Sequence, residues 1–148
     1  MYKSILVPTD GSKLSAKAVK QAIKFAKTIG AKITAFNVMP EYQVAMDEGF
    51  IVPTVAPLKK RFEEEVAARS KTILDGVRAE AVAAGVECEG VSVTSNAPWD
   101  VIIKQATKYK CDLIMMASHG RKGLQGLLLG SETTKVLVHS KIPVLVLR

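Results

Sequence analysis

The sequence predicts an α/β protein: one sheet of five parallel strands with helices on both faces. Three observations predict it. Short apolar runs and stretches of helical periodicity alternate four times along the chain, the pattern of parallel strands joined by helical crossovers. The runs at 112–117 (DLIMMA) and 143–147 (PVLVL) are continuously apolar, as strands covered on both faces are. The 148 residues, 48% of them hydrophobic and 24% charged, suffice for one domain with a full core, and no repeat or linker divides residues 1–148.

Residues 3–8 (KSILVP), an apolar run closed by turn residues, read as the first strand. Residues 12–29 follow as a helix. Val19, Ala22, Ile23, Ala26 and Ile29 share one face, Ser12 suits the N-cap and Gly30 the C-terminal stop. Residues 32–38 (KITAFNV) are the second strand. Residues 39–57 hold Pro40, Gly49, Pro53 and Pro57 without a clear period; a loop of this length is usually functional and could act as a lid. Residues 58–84 form a long helix with the stripe Leu58, Phe62, Val66, Ile73, Val77 and Ala81, ended by Gly85. A third strand at 86–94 leads to a helix at 98–109 with Pro98 near its start. The fourth strand at 112–117, a glycine-rich loop, a helix at 131–139 and a last strand at 143–147 complete the chain.

The totals exclude several classes. No apolar run approaches the ~18 residues of a membrane helix, and the amino end runs into a strand without a signal-peptide pattern. A cytoplasmic location and no membrane partner are the expectation. Cys88 and Cys111 have no neighbours that would make a metal site and read as reduced, packed thiols. The net charge of +7 suits an anionic ligand. Lys13, Lys17, Lys20, Lys24 and Lys27 step by four, three, four and three, so they share one face of the first helix. That face reads as the solvated side of an amphipathic helix, and without interleaved aromatics it argues against nucleic acid as a partner.

In open sheets of this class, ligands bind at the carboxyl ends of the strands where the winding reverses. Known five-stranded folds put the first strand at the centre, in the order 3-2-1-4-5, with the crevice between strands one and four. Two polar segments then meet: Pro8-Thr9-Asp10-Gly11-Ser12, and the stretch from Ala117-Ser118-His119-Gly120 through Arg121 and Lys122 to Gly130-Ser131. The glycines admit backbone close to a ligand, and Ser131 lies at a helix start, where free N–H groups and the helix dipole favour an anion. In physical terms this is a phosphate site. It is neither a P-loop nor the dinucleotide fingerprint, because Gly120, Gly123 and Gly126 are spaced at threes and no Gly-Lys-Ser or Gly-Lys-Thr follows.

These residues resemble the universal stress protein family. The family's ATP-binding motif is Gly, two residues, Gly, nine residues, Gly, then Ser or Thr; here it reads Ala117, Gly120, Gly130, Ser131. The resemblance runs the length of the chain, through ILVPTDGS, FNV, APWDVI, DLIMMASHG and HSKIPVLVLR. It implies a Rossmann-like fold, similar to that of the adenine nucleotide alpha hydrolases, and a nucleotide site made of Pro8, Thr9, Asp10, Val38, Met116, Ala117, His119, Gly120, Arg121, Gly130, Ser131, Glu132 and Thr133. Asp10 would contact the ribose or the metal–phosphate region and Val38 the adenine through its backbone. Gly120, Gly130 and Ser131 would hold the phosphates, with Glu132 offering its backbone N–H. The implied cofactor is ATP, with Mg²⁺ brought by the phosphates. Two positions depart from the pattern: Ala117 replaces the first glycine, and Glu132 puts an acid where an apolar residue is common.

Plainer roles stand beside these. Asp10 could only shape a turn or cap the first helix, and Ser131 could only cap the last. His119 suits a hydrogen bond near the ligand, and His139 the dipole of a helix end. Nothing fixes a catalytic triad or a committed base, so no catalytic residue is named and hydrolysis of ATP would at most be slow. The leading expectation is a nucleotide-binding stress-response module, homodimeric through residues 143–147, since an apolar edge strand needs cover. The alternative is a dimeric interaction module of the same family that binds no nucleotide, as Ala117 and Glu132 would suit. An ATP pyrophosphatase-type ligase ranks lower, because Thr9-Asp10-Gly11-Ser12 stands where such enzymes carry Ser-Gly-Gly.

Overall fold

Strands and helices alternate as expected. In the computed structural model, which describes residues 1–44, 55–120 and 129–148, the elements are β1 (Ser4–Pro8), α1 (Lys13–Ile29), β2 (Lys32–Met39), α2 (Val55–Ala83), β3 (Cys88–Thr94), α3 (Pro98–Lys108), β4 (Leu113–Ala117), α4 (Ser131–His139) and β5 (Val144–Leu147). The sheet order is β3-β2-β1-β4-β5, and every pair is parallel. Both the fold class and the strand order are those expected.

The alternation of side chains along each strand splits the core into two layers. Ile5, Val7, Leu113 and Met115 join Val19, Ala22, Ile23 and Ala26 of α1 and Leu74, Val77 and Ala81 of α2. Leu6, Ile114 and Met116 face the other way, onto Phe36, Ile102 and Ala106 and onto Val136 of α4. Helices α1 and α2 therefore cover one face, and α3 and α4 the other. Each fully buried Ile or Phe side chain contributes on the order of 1.5–3 kcal/mol. Ser12 caps α1 by accepting the Ser15 N–H, and Gly30 closes it in the left-handed conformation at φ 71°.

Five local departures from the expected elements occur. Helix α2 starts at Val55, not at residue 58, with Pro57 in its first turn, where the missing N–H breaks no bond. Its expected stripe begins too early: Leu58 is 53% exposed, and full burial starts only at Ser70 and continues through Leu74, Val77 and Ala81. Strand β3 starts at Cys88, because Val86 is held in the turn after Gly85, its N–H donating to Ala81 O at 2.9 Å. Strand β2 runs on to Met39, which pairs with Thr94. The long segment expected between β2 and α2 thus loses residues at both ends, and its part at 45–54 lies outside the described residues. Strand β5 is apolar yet not covered on both faces as β4 is; it is the sheet edge, with Leu145 40% exposed.

Both cysteines are free thiols. Burial pushes both pKa values up, which keeps them protonated at neutral pH.

Candidate functional site

The chain leaves β1 through a short polar turn held from three sides. The N–H of Thr9 donates to Phe36 O at 2.8 Å, continuing the β1–β2 ladder, and Asn37 Nδ2 donates to Thr9 O at 2.9 Å. The Thr9 hydroxyl is bonded to the Ser15 hydroxyl on the first turn of α1. Asp10 Oδ1 accepts the Ser12 N–H at 2.9 Å, and Gly11 turns the backbone at φ 76°. The carboxylate of Asp10 is thereby set by the turn that starts α1.

The second segment leaves β4, next to β1 in the sheet. Ala117 is its last residue, and Ser118 N donates to Leu147 O at 2.8 Å. Ser118 O accepts the Gly130 N–H at 2.7 Å, and the buried Thr133 hydroxyl donates to Ala117 O at 3.1 Å. These two bonds dock the amino end of α4 on the end of β4. Gly130 is the N-cap of α4 and has no side chain to close it. The amides of Ser131, Glu132 and Thr133 stand in the first turn, where a helix supplies no acceptor.

Two glycines set how closely the segments approach. A Cβ on Gly120 would lie 2.6 Å from Asp10 Oδ2, so the backbone after β4 rests directly on the carboxylate from β1. A Cβ on Gly130 would lie 3.0 Å from His119 Cβ and 3.1 Å from His119 Cα. Residues 10, 120, 119 and 130 therefore form a continuous wall, although the first and last are far apart in sequence.

The remaining expected residues take definite places. Pro8 ends β1, Val38 lies near the end of β2 opposite Val93, and Met116 is buried in the core beneath the site. The Ser131 hydroxyl is exposed and has no hydrogen bond among the described residues, and Ser131 follows the N-cap instead of being it. Arg121 lies outside the described residues, as do Lys122, Gly123 and Gly126. Glu132 turns its carboxylate away from the first turn of its own helix: Oε2 accepts the Trp99 N–H at 2.8 Å, at the amino end of α3. Ala97, the N-cap of α3, provides no side-chain bond, so Glu132 fills that role from the neighbouring helix. Ser15, Asn37 and Trp99 were not singled out by the sequence. The available signals were a serine three residues after an N-cap serine and a lone amide in an apolar strand.

An uncapped helix start, glycine backbone beside it and a fixed carboxylate across from it suit a phosphorylated ligand. The Glu132 carboxylate is engaged by the Trp99 N–H and, through Oε1, by Lys135 Nζ at 3.5 Å, so its charge is partnered away from an anion at the amides of residues 131–133. Among the described residues, no cluster of three metal-ligating side chains occurs, so a cation here would rely on ligand oxygens beside Asp10.

The chain is similar to known proteins over its whole length. The model of the universal stress protein family matches residues 1–148. The universal stress protein MJ0531 of Methanocaldococcus jannaschii is 32% identical, over 100% of this chain and 83% of its own. The solved structure of MJ0577, from the same organism, superposes with a TM-score of 0.83 at 28% identity, covering 99% of this chain and 96% of the other. A universal stress protein solved in complex with cAMP is 29% identical with a TM-score of 0.71, over 99% and 97% of the two chains.

Proposed function

Since the chain belongs to the universal stress protein family, we propose that residues 1–148 are one domain that binds an adenine nucleotide, ATP with Mg²⁺, between β1 and β4 and acts as a stress-response regulatory module. The observation that carries this reading is the uncapped first turn of α4, joined to the Asp10 turn by the close approach of Gly130 to His119 and of Gly120 to Asp10. The amides of Ser131, Glu132 and Thr133 receive the phosphates, helped by the Ser131 hydroxyl. Asp10 faces the ribose or the Mg²⁺–phosphate region, Val38 meets adenine through its backbone, and Ala117 and His119 line the floor. A relative of 29% identity bound to cAMP supports adenine nucleotides as the ligand class. The reading is of a binding module. The open edge of β5 pairs with a second copy, and bound nucleotide alters what the dimer presents to a protein partner.

Mass spectrometry of the supernatant from denatured, freshly purified protein, together with calorimetric titration of Mg²⁺–ATP, tests the reading. An adenine nucleotide in the supernatant, or saturable heat, is expected. Gly120→Ala is expected to weaken binding about tenfold or more, about 1.4 kcal/mol, because its Cβ would displace a carboxylate already tied to Ser12. No released nucleotide and no heat with ATP, AMP or cAMP would leave the non-binding interaction module as the better account.

A further inference from the structure

Two helices lie side by side on one face of the sheet and treat their charges in opposite ways. On α2 the cations are matched by acids one turn on: Lys59 with Glu63, Lys60 with Glu64, Arg61 with Glu65 and Lys71 with Asp75. Helix α1 contains no Asp or Glu. Its Lys13, Lys17, Lys20, Lys24 and Lys27 are all exposed, and no ion pair engages any of them among the described residues. Without these five, the chain carries sixteen Lys and Arg against fourteen Asp and Glu, so most of the net charge of +7 sits on one helix. At 100° per residue the five side chains fall within an arc of about 80°, and at 1.5 Å per residue they span about 21 Å. They form a straight row.

We propose that this row is a docking line for the phosphate backbone of a double-stranded nucleic acid, bound without sequence preference. Periodicity alone describes a solvated face, and the lack of interleaved aromatics argued against nucleic acid; the observation that revises that expectation is that the charge on α1 is uncompensated while the neighbouring helix cancels its own. The shape of the row selects the partner. A flat anionic membrane resting on α1 would also cover α2 in the same layer, whose charges are paired within the helix and add no attraction. A rod of phosphates lying along α1 engages the uncompensated row alone. The row carries no aromatic platform for single-stranded bases, since Phe25, the aromatic residue of α1, packs on the core. It carries no Arg fork to read base edges. Nor does α1 expose a large apolar side chain that would anchor a protein, and lysine is depleted at such interfaces. What remains is point charge at regular spacing, which suits phosphates alone. The inference does not depend on the nucleotide site.

The test is fluorescence anisotropy of the full chain with labelled duplexes of about 20 base pairs, DNA and RNA in parallel, from about 50 to about 200 mM salt. Five neutralised phosphates predict a slope of log K against log salt of about −4.5, an affinity loss of about 500-fold over that range. Two unrelated sequences are expected to bind alike, and the DNA and RNA arms identify which backbone is preferred. The double variant Lys20→Gln/Lys24→Gln is expected to reduce the slope by about two, whereas Lys59→Gln/Lys60→Gln on α2 leaves it unchanged. The wild-type slope is a test that needs no variant. No binding at the lowest salt overturns the proposal. So does a slope that the α1 variant does not move, or binding to phosphatidylserine vesicles by a chain that ignores both duplexes.

Discussion

Glu132 determines what the start of α4 can hold. An acid in the first turn of a helix favours the dipole but competes with any anion for the same amides. Here the competition is removed, because the carboxylate accepts the Trp99 N–H at 2.8 Å and caps α3 instead. Glu132→Ala is expected to lower stability by about 1 kcal/mol, the usual worth of an N-cap, whereas Glu132→Gln keeps a carbonyl acceptor and most of that stability. Urea midpoints at constant slope measure both; an alanine variant as stable as the parent would show that the contact caps nothing. The meeting of Asp10, Gly120, Gly130 and Ser131 was expected from the strand order of known folds and the resemblance to the family motif, since each residue alone also suits a turn or a helix cap. The sequence did not reveal Trp99 as the partner of Glu132, or Asn37 as the anchor of Thr9. A backbone amide that donates to a distant side chain leaves no mark in the local pattern, and a single buried amide group resembles any polar residue until its partner is known.

At the scale of elements, β1 and β4 are the joint on which the site depends, and a side chain fastens their lower ends. Their ladder pairs Ile5 with Leu113 and Leu6 with Ile114. Asp112 extends it: its carboxylate accepts the N–H of Lys3 at 2.9 Å and that of Ser4 at 3.0 Å. Burial raises the Asp112 pKa, but the Ser4 and Lys3 amides together outweigh it and hold the carboxyl below its ordinary value of 3.8. A lowered folded-state pKa means that the stabilisation is fully present above 3.8 and is lost as pH falls through the folded-state value. Asp112→Asn is therefore expected to cost stability at neutral pH and to flatten the decline on acidification, read from melting temperatures at neutral pH and near pH 3. Equal acid sensitivity in both proteins would place the effect on other carboxylates. The elements themselves were mostly legible, since Ser12, Gly30 and Pro98 mark ends by local chemistry. The early start of α2 and late start of β3 were not. Pro57 is as acceptable inside a first turn as before one, and Val86 looks like a strand residue until the turn claims its amide. The sheet order came from known folds, because nothing local distinguishes a central strand from its neighbour.

For the whole molecule, the unfinished edge is at β5. Among the described residues the strand pairs with β4 alone, and Leu145 is 40% exposed, while Leu137 and Val138 of α4 are exposed at 39% and 71%. Ile114 N donates to Pro143 O and Ser118 N to Leu147 O, so the odd-numbered residues of β5 face β4. In a parallel ladder the alternate residues, Val144 and Val146, then direct their N–H and C=O groups to the open side. Such an edge is a template for another strand, and a second copy meeting it across a two-fold would pair antiparallel and cover the apolar side chains. Proline at an outward-facing position removes a donor from the new ladder without touching the old one. The parent chain is expected to sediment as a dimer and Val146→Pro as a monomer, with a melting temperature shifted only by what the dimer itself contributed. A parent that sediments as a monomer ends the idea. A Val146→Pro protein that remains dimeric moves the interface to another surface, and Val138→Lys then asks whether the outer face of α4 is that surface.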